Sequence, residues 1–495
     1  MLQFAKPEEV GVSSKHIQGC LKALETAKLS SHSIVMMRHG KVFFEKYWAP
    51  FHKDYPHRQY SITKSFVSLA IGFLEQEGKL CLDDKIVDLF PVDITAGTHE
   101  KIKQQTVREM LTMETGFPMG HGYWFSHHNG NRLRDYFDCA EGEAHIAGTL
   151  FDYDSFGSFV LGALVEHISG ESLEQFLRVR LFDKIGVSDK AHFLLCPGGN
   201  AWGDSALMCT ARDLLKTAQF TMNGGRWNGE QILNEDYVRT ATSKVVSNDT
   251  TIAVSSYSTY GYGYQFWRLP YNGWYFNGMG AQLAMCYPEQ DIIVVYNGDV
   301  QGNTSGKTQV LDNVLHYIVE NAEDEALPAN AEAEKALTEY ADSLVLHVCD
   351  GEKTTAFAQK IEGKTFVMNK NSMGITWLRL SFNGDEGVLE YNNAQGDKAL
   401  PFGFGKNVFG KFPQEGYSDE IGGIPAPGNY YDCAVSCGWV EEQKLHLDVQ
   451  IIDKYLARLS IEISFKDETT VCVRMRRFAE AFLNEYQGYG EGHAE

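Results

Sequence analysis

The hydrophobic positions of this chain follow two different patterns, which change at about residue 325. Before that point, strand patterns stand at both ends of a long region whose apolar residues recur at helical spacing. The first two strands, 33–38 and 41–48, are joined by a tight turn at His39-Gly40, and the last strands lie within 261–297. The pattern therefore predicts one antiparallel sheet built from both ends of the region, with helices on its faces and a helical subdomain.

The second pattern consists of short alternating runs separated by Gly, Asn and Asp. This texture is typical of an all-β module, either a small barrel or a sandwich. The segment between the two patterns is rich in Ala and Glu, and it is predicted to be a linker or a loose helix. The predicted organisation is a first domain at 1–325, a linker at 326–340 and a β-rich module at 341–495.

Composition and charge narrow the range of functions. The 495 residues are 43% hydrophobic and 22% charged, which is ordinary for a globular protein. There are 44 Lys and Arg against 65 Asp and Glu, a net charge of −21. A chain this acidic repels phosphate backbones and anionic lipids, so neither nucleic acid nor a membrane surface is an expected partner. No apolar run reaches the length of about 20 residues that a membrane span needs.

The cysteine and histidine patterns predict neither a metal site nor a bound cofactor. The ten cysteines are scattered, and the close pair Cys433 and Cys437 lacks the second pair of a zinc site. His121, His127 and His128 lie in one loop, but no carboxylate has the spacing that completes a site. The glycine-rich run 302–308 fails the spacing of a nucleotide-binding loop. Reduced thiols, and the absence of a secretory pattern at the start, predict a cytoplasmic protein.

The strongest chemical signal is Ser61-Ile62-Thr63-Lys64, the sole Ser-x-x-Lys of the sequence, at the start of a helix predicted to run from Ser61 to about Glu77. Residues three positions apart share a helix face, so the Ser61 hydroxyl and the Lys64 amine can touch. A serine hydroxyl is a weak nucleophile unless a neighbour takes its proton, and a lysine in a dry pocket can do so. Alone, the motif is equally compatible with a capping serine and a surface lysine.

Two further motifs accompany it in order. Tyr153-Asp154-Ser155 precedes an apolar helix, and a glycine-rich run at 277–282 interrupts a strand pattern. Glycines within a strand suggest the close approach of a ligand to the backbone. A Ser-x-x-Lys, a Tyr-x-Ser and then a glycine-rich strand is the motif order of the penicillin-recognising serine hydrolases.

At residues 8–320 the chain resembles the class C β-lactamase-like serine hydrolases, a family that includes esterases, D-amino-acid peptidases, 6-aminohexanoate-oligomer hydrolases and lactamases. The runs that carry the resemblance, besides the three motifs, are Arg38–Val42, Tyr60–Phe66, Glu77–Asp84, Leu111–Gly116 and Thr210–Leu214. The resemblance implies an α+β fold of the β-lactamase/transpeptidase type and a reaction without a cofactor.

Roles follow from the resemblance residue by residue. Ser61 is implied to be the acylated nucleophile, Lys64 its proton partner and Tyr153 the phenol that passes the proton to the leaving group. Which of Lys64 and Tyr153 deprotonates Ser61 stays open. The oxyanion hole is implied to consist of the backbone N–H groups of Ser61 and Ala281. The residues predicted to contact substrate are Ser155, Gly278, Met279, Gly280, Trp124 and Tyr262.

Two departures from the family pattern bear on the substrate. The second motif usually ends in Asn, and the Ser155 hydroxyl cannot replace a two-ended carboxamide. Lactamases carry a cation where this chain has Gly278, so a carboxylated β-lactam loses a strong partner. Both changes favour a neutral ester, or an amide held in another way. Asp154 is expected to point to solvent, and Asp204 to do no more than cap local structure.

The sequence therefore supports a serine hydrolase of small esters, amides or short peptides as the first hypothesis. A non-catalytic relative that serves as a sensor or binding module is the second, because the Tyr-x-Asn motif is altered. A true β-lactamase is the third. Turnover of an ester or amide, a permanent acyl-Ser61 and rapid cephalosporin hydrolysis would distinguish the three. The oligomeric state is left open.

Overall fold

The computed structural model describes residues 2–90, 98–117, 130–138, 145–249, 257–479 and 482–495. The chain divides into two compact units. The first unit contains Met1–Leu344 together with the short segment Asp419–Ile424, and the second contains Val345–Ser418 and Pro425–Glu495.

A seven-stranded sheet forms the centre of the first unit. The strands of the unit, in chain order, are β1 Gln3–Phe4, β2 Ser30–Arg38, β3 Lys41–Tyr47, β4 His57–Arg58, β5 His192–Phe193, β6 Leu207–Cys209, β7 Arg226–Trp227, β8 Glu230–Gln231, β9 Trp267–Arg268, β10 Trp274–Asn277, β11 Leu283–Tyr287 and β12 Ile292–Asp299. The order in the sheet is β1-β3-β2-β12-β11-β10-β9, antiparallel except for the β1–β3 pair. Strands from both ends of the region thus meet at the β2–β12 pair, as the pattern predicted.

Helices cover both faces of this sheet and build a helical region beside it. The α-helices of the first unit are Ser14–Thr26, Ile62–Gln76, Ile86–Leu89, Val107–Leu111, Arg132–Asp138, Ser155–Ser169, Leu173–Leu177, Asp183–Ile185, Ala211–Met222, Glu235–Ala241, Gly306–Val314 and Ala331–Ser343. The first helix and the helix at 306–314 share one apolar core with the sheet. The helix at 211–222 packs on β2, β11 and β12, and the helix at 62–76 packs on the one at 155–169.

The helix predicted from Ser61 to Glu77 is present as Ile62–Gln76. Its residues are apolar around most of the circumference, and every residue from 62 to 74 is buried. A helix that is apolar on all sides belongs in a core rather than on a surface. Phe66 packs its ring 6.3 Å from that of Phe276 in β10, which brings the start of the helix beside the end of that strand.

The predicted linker at 326–340 is largely helical. The helix Ala331–Ser343 begins at Asn330, whose side chain accepts a hydrogen bond from the Ala333 N–H at 3.1 Å. Leu337 and Ala341 are buried against the first helix of the chain. Small alanine side chains allow the two helices to approach closely, and the segment that was expected to separate the units is part of the first unit.

The second unit is a closed barrel, which confirms the predicted all-β module and decides between its two forms. Its strands are β13 Thr365–Met368, β14 Trp377–Asn383, β15 Glu386–Asn393, β16 Gly396–Phe404, β17 Val408–Tyr417, β18 Pro425–Glu441, β19 Lys444–Ile452, β20 Leu456–Asp467, β21 Thr470–Ala479 and β22 Gly488–Ala494, with one short helix at Ala358–Ile361. Pairing of β16 with β18 closes a ring of nine strands, and β17 pairs with β18 outside that ring. Closure pairs both edges of the strands in the ring and leaves β17 as the edge strand.

The state of the cysteines and the length of the helices bear on the expectations drawn from composition. The nine cysteines described there are all free thiols, with Cys81 and Cys472 exposed and the others buried. Within the same ranges, no helix combines the length and the apolar character that crossing a bilayer requires.

Candidate active site

Ser61 stands at the N-terminus of its helix without acting as a cap. Its side chain makes no capping hydrogen bond. The preceding residue, Tyr60, has a φ of 45°, a left-handed conformation that costs a non-glycine residue about 1–3 kcal/mol. The Thr63 hydroxyl donates to the Tyr60 carbonyl at 2.5 Å and holds this turn. The turn leaves the Ser61 Oγ available for chemistry.

Lys64 connects Ser61 to a second segment of the chain. Its Nζ lies 3.0 Å from the Ser61 Oγ and donates to the Asp204 carbonyl at 2.7 Å. The side chain is almost fully buried, and Nζ lies 5.2 Å from the centre of the Tyr153 ring. The predicted contact between the hydroxyl and the amine is therefore present, and Tyr153 is beside it.

The Asp204 carbonyl is a functional group that the sequence did not reveal. The Asp204 carboxylate pairs with Arg132 at 3.0 Å, and both side chains are at most 1% exposed. Arg132 also lies over the Phe159 ring, 4.3 Å from its centre. The expectation that Asp204 only caps local structure is wrong, since its buried ion pair fixes the segment whose carbonyl holds Lys64. No local signal links residues that are 72 positions apart.

Residues 419–424 form backbone hydrogen bonds with the segment that precedes Asp204. The Leu195 N–H donates to the Glu420 carbonyl at 2.8 Å, and the Gly422 N–H donates to the Leu195 carbonyl at 2.7 Å. A Cβ on Gly422 would lie 2.1 Å from the Trp202 ring, so glycine is required there. Trp202 is buried, two residues before Asp204.

We expect Gly422→Ala to destabilise the protein by about 1–3 kcal/mol, because the added methyl group forces the Trp202 ring to move. The substitution should also lower kcat, since a shift of Trp202 is passed to the Asp204 carbonyl. Urea unfolding and steady-state kinetics measure the two effects. Gly410→Ala is the control, because a Cβ at Gly410 meets no atom within 4 Å. Equal results for the two variants would contradict the expectation.

Asp154 anchors the turn that carries Tyr153. It is 6% exposed, and its carboxylate accepts hydrogen bonds from the Phe156 N–H at 2.8 Å and the Thr115 hydroxyl at 3.0 Å. The prediction that Asp154 points to solvent is wrong, and burial raises the pKa of its carboxyl. The side chain caps the helix Ser155–Ser169, so it fixes the backbone next to Tyr153. The Tyr153 ring packs against Trp267, with the ring centres 5.5 Å apart.

The glycine-rich motif lies in the connection between β10 and β11, beside the nucleophile. A Cβ on Gly278 would lie 2.7 Å from the Gln59 carbonyl, two residues before Ser61. Gln282 closes the connection, because its carbonyl accepts from the Gly278 N–H at 2.7 Å and its Oε1 accepts from the Gly280 N–H at 3.0 Å. The structure thus brings the first and third motifs together and leaves no room for a side chain at 278.

Two backbone amides of this connection, those of Met279 and Ala281, bear on the predicted oxyanion hole. Ala281 is fully buried with a φ of 65°, and its N–H donates to the Gly278 carbonyl at 3.3 Å. Within the described part of the chain, the N–H groups of Ser61 and Met279 have no hydrogen-bond acceptor. Met279 is half-buried, whereas Ala281 is inaccessible. Turn geometry in this connection, which the sequence does not determine, decides which amide is available.

The other residues predicted to contact substrate are Ser155, Tyr262 and Trp124, of which the first two are described by the structure. Ser155 is half-buried in the first turn of its helix and makes no hydrogen bond to Lys64. Tyr262 is 1% exposed and packs edge-on against Trp267, so it supports the Tyr153 ring indirectly, through Trp267. Trp124 lies outside the described residues, as do the three predicted loop histidines. In the ranges that are described, no group of three His, Cys, Asp or Glu side chains has the arrangement of a metal site.

The chain is similar to a known family and to several known proteins. A family model with the description Beta-lactamase matches residues 17–314. A 6-aminohexanoate-dimer hydrolase from Paenarthrobacter ureafaciens is 21% identical over 221 residues, which are 42% of this chain and 55% of that protein. The chain thus spans about half the length of this curated relative.

Two solved structures share the fold. The D-amino acid amidase from Ochrobactrum anthropi SV3 has a TM-score of 0.50 and 18% identity, over 62% of this chain and 99% of that one. The structure of SurE has a TM-score of 0.50 and 14% identity, over 97% of this chain and 99% of that one. The second likeness extends over both units.

Proposed function

Since the chain belongs to the beta-lactamase family, we propose that it is a serine hydrolase that cleaves small esters or amides through an acyl-Ser61 intermediate. One observation carries this proposal: the Lys64 Nζ lies 3.0 Å from the Ser61 Oγ and is held in place by the Asp204 carbonyl. A buried amine at this distance is a proton acceptor for a hydroxyl that attacks a carbonyl carbon.

Acylation then proceeds through a tetrahedral intermediate. The Ser61 Oγ forms a bond to the substrate carbonyl carbon while its proton moves to the Lys64 amine. The tetrahedral intermediate expels an alcohol or an amine, which takes up a proton from the Tyr153 hydroxyl, and the Lys64 ammonium restores the proton of Tyr153. Water cleaves the acyl-enzyme by the same groups in reverse. Lys64 is favoured over Tyr153 as the base, because its amine contacts Ser61 directly.

The oxyanion of the intermediate accepts hydrogen bonds from the N–H groups of Ser61 and Met279 in this proposal. Both amides lack another acceptor among the residues described, and the connection that carries Met279 touches the nucleophile's own turn. Such donors typically contribute about 10²–10³ in kcat each.

We therefore expect Met279→Pro to lower kcat about a hundredfold, because proline has no N–H to donate. Met279→Ala keeps the amide and is the matched control, with kcat near that of the wild type. Steady-state kinetics on a nitrophenyl ester provides the measurement. A large loss in both variants would assign the effect to the side chain instead.

Two departures of the site from the family pattern, at Gly278 and at Ser155, bear on the class of substrate. The packing of Gly278 against Gln59 excludes the cation that lactamases use for the drug carboxylate. Lys64 has the Asp204 carbonyl where the family pattern has an Asn side chain, so the altered second motif still leaves the lysine anchored. The similar proteins named above include a 6-aminohexanoate-dimer hydrolase and a D-amino acid amidase. We propose a small, uncharged ester or amide as substrate, with β-lactams as poor ones.

Labelling with a fluorophosphonate, followed by intact mass measurement and peptide mapping, tests the proposal. One adduct on Ser61 is expected, together with turnover of nitrophenyl butyrate or of a small amide. Ser61→Ala should take no adduct, whereas Ser65→Ala should, since the Ser65 hydroxyl is already bonded to the Gln265 carbonyl at 2.7 Å. The absence of an adduct in folded protein would overturn the proposal. An adduct without turnover of any ester or amide would favour a non-catalytic sensor.

A further inference from the structure

The second unit contains a cavity that the proposed reaction does not use. It has a volume of about 460 Å³ and lies between β17, the start of β18, the turn before β16 and the segment 482–485. Sites for small organic molecules fall in the range of about 300–1,000 Å³. The size of the cavity therefore fits a ligand rather than a few water molecules.

Five of the fourteen residues that line this cavity are aromatic. They are Phe412, Tyr417, Tyr430, Tyr431 and Phe482. Tyr431 and Phe482 pack edge to face at 5.2 Å, which gives the wall a fixed shape. Tyr430 is 38% exposed and has no ring partner among the described residues, so its face is open. Aromatic faces carry negative charge density and attract cations.

A carboxylate is fixed at the polar end of the same cavity. The side-chain amides of Gln395 and Gln414 both donate to the Oε1 atom of Glu485, the first at 3.1 Å and the second at 2.5 Å. The Oε2 atom of Glu485 has no partner among the residues that the structure describes. Two donors on one oxygen orient the carboxylate and leave its other oxygen for a ligand.

The side-chain oxygen of Gln414 is a second hydrogen-bond acceptor to which no group donates among the described residues. The side chain is 9% exposed, and its Oε1 is buried with no hydrogen-bond partner. A buried acceptor that lacks a donor is uncommon in a folded protein and indicates a missing ligand or water. The charged side chains of the lining are Glu415 and Glu485 against Lys398, a net negative charge.

We propose that this cavity binds a small organic cation, a primary ammonium group on an aromatic or aliphatic body. The ammonium group would donate to the Oε2 atom of Glu485, and the body would lie against the open ring face of Tyr430. A primary ammonium is favoured over a quaternary one because the Glu485 oxygen accepts an N–H, which a quaternary ammonium lacks. An anion would be repelled by Glu485 and Glu415. A sugar would need several donors from the protein, but the amide donors of Gln395 and Gln414 are already used by Glu485.

Isothermal titration of the full chain with three indole compounds of similar shape tests the proposal. Tryptamine carries an ammonium group, tryptophol a hydroxyl and indole-3-propionate a carboxylate. Tryptamine should bind at one site per chain, about tenfold or more tighter than tryptophol, and indole-3-propionate should not bind. Equal affinities for the first two compounds would overturn the proposal, as would binding of a neutral sugar such as maltose in place of tryptamine.

Variants locate the binding and separate it from effects on folding. Glu485→Gln should weaken tryptamine binding about tenfold or more, and Lys398→Gln should strengthen it by removing a competing cation. Glu362→Gln, an exposed position of the same unit outside the cavity, is the control and should change nothing. Thermal melting verifies that each variant is folded. Unchanged binding in folded Glu485→Gln would place the ligand elsewhere and refute the assignment.

Discussion

Lys64→Met is expected to lower kcat/KM for the best ester about a thousandfold while the protein remains folded. The substitution removes the amine at 3.0 Å from the Ser61 Oγ, and general base catalysis contributes about 10²–10⁴ in rate. Methionine has a length close to that of lysine and fills the buried site. The Asp204 carbonyl loses its donor, which costs about 1–3 kcal/mol of stability. Steady-state kinetics and a urea unfolding curve measure the two effects.

The same experiment separates the roles of Lys64 and Tyr153 when the leaving group is varied. Nitrophenolate leaves without a proton, but an amine does not. Lys64→Met should therefore slow nitrophenyl ester and amide hydrolysis alike, whereas Tyr153→Phe should slow amide hydrolysis more. Lys79→Met, at a partly exposed lysine beyond the same helix, is the control and should keep wild-type rates. A loss below about tenfold for Lys64→Met would remove Lys64 from the role of base.

Arg132→Met is expected to destabilise the protein by about 3–5 kcal/mol, because it leaves the Asp204 carboxylate buried without a counter-charge. Asp204 is 0% exposed, so water cannot replace the arginine. The same variant should lose activity, since the carbonyl that holds Lys64 belongs to Asp204. Urea unfolding followed by tryptophan fluorescence gives the change in free energy.

A neighbouring pair on the same helix provides the comparison. Arg134 and Asp138 form an ion pair at 2.6 Å, but their side chains are 37% and 40% exposed. Arg134→Met should cost less than about 1 kcal/mol, because exposed pairs contribute little. The double variant Arg132→Met with Asp204→Leu should recover most of the stability without the activity. A loss below about 1 kcal/mol for Arg132→Met would show that the buried pair is not needed for folding.

Local sequence patterns predicted the reactive residues of this site correctly, but they did not predict the distant residues that hold those side chains in place. The contact of Ser61 with Lys64 follows from helix spacing alone, and the helix that carries them begins and ends within a residue of the prediction. The anchor at Asp204 depends on Arg132 and on a folded chain between them. The choice between Met279 and Ala281 depends on a turn that Gln282 holds, and no spacing rule specifies that turn.

The other differences between prediction and structure also arise from contacts between segments that are distant in sequence. Asp154 was expected to face solvent because charged residues usually do, and its role as a cap next to Thr115 appears only when distant segments meet. The Ala- and Glu-rich segment was interpreted as a linker or a loose helix; it is a helix, and the packing of Leu337 and Ala341 against the first helix is what the sequence did not indicate. In the second unit, alternation indicated strands, whereas closure depends on the parallel pairing of β16 with β18.

The segment Asp419–Ile424 has a consequence for how the protein is made and divided. The first unit is not a continuous stretch of sequence, because its last piece follows about seventy residues of the barrel. During synthesis on the ribosome, Leu195 and Trp202 cannot make their contacts with residues 419–424 until that segment has been translated. A gene fragment that stops at Leu344 would encode the reactive residues but lack one edge of their support. A gene rearrangement that moves the complete first unit would therefore also move the barrel, because Asp419–Ile424 lies within the barrel's sequence.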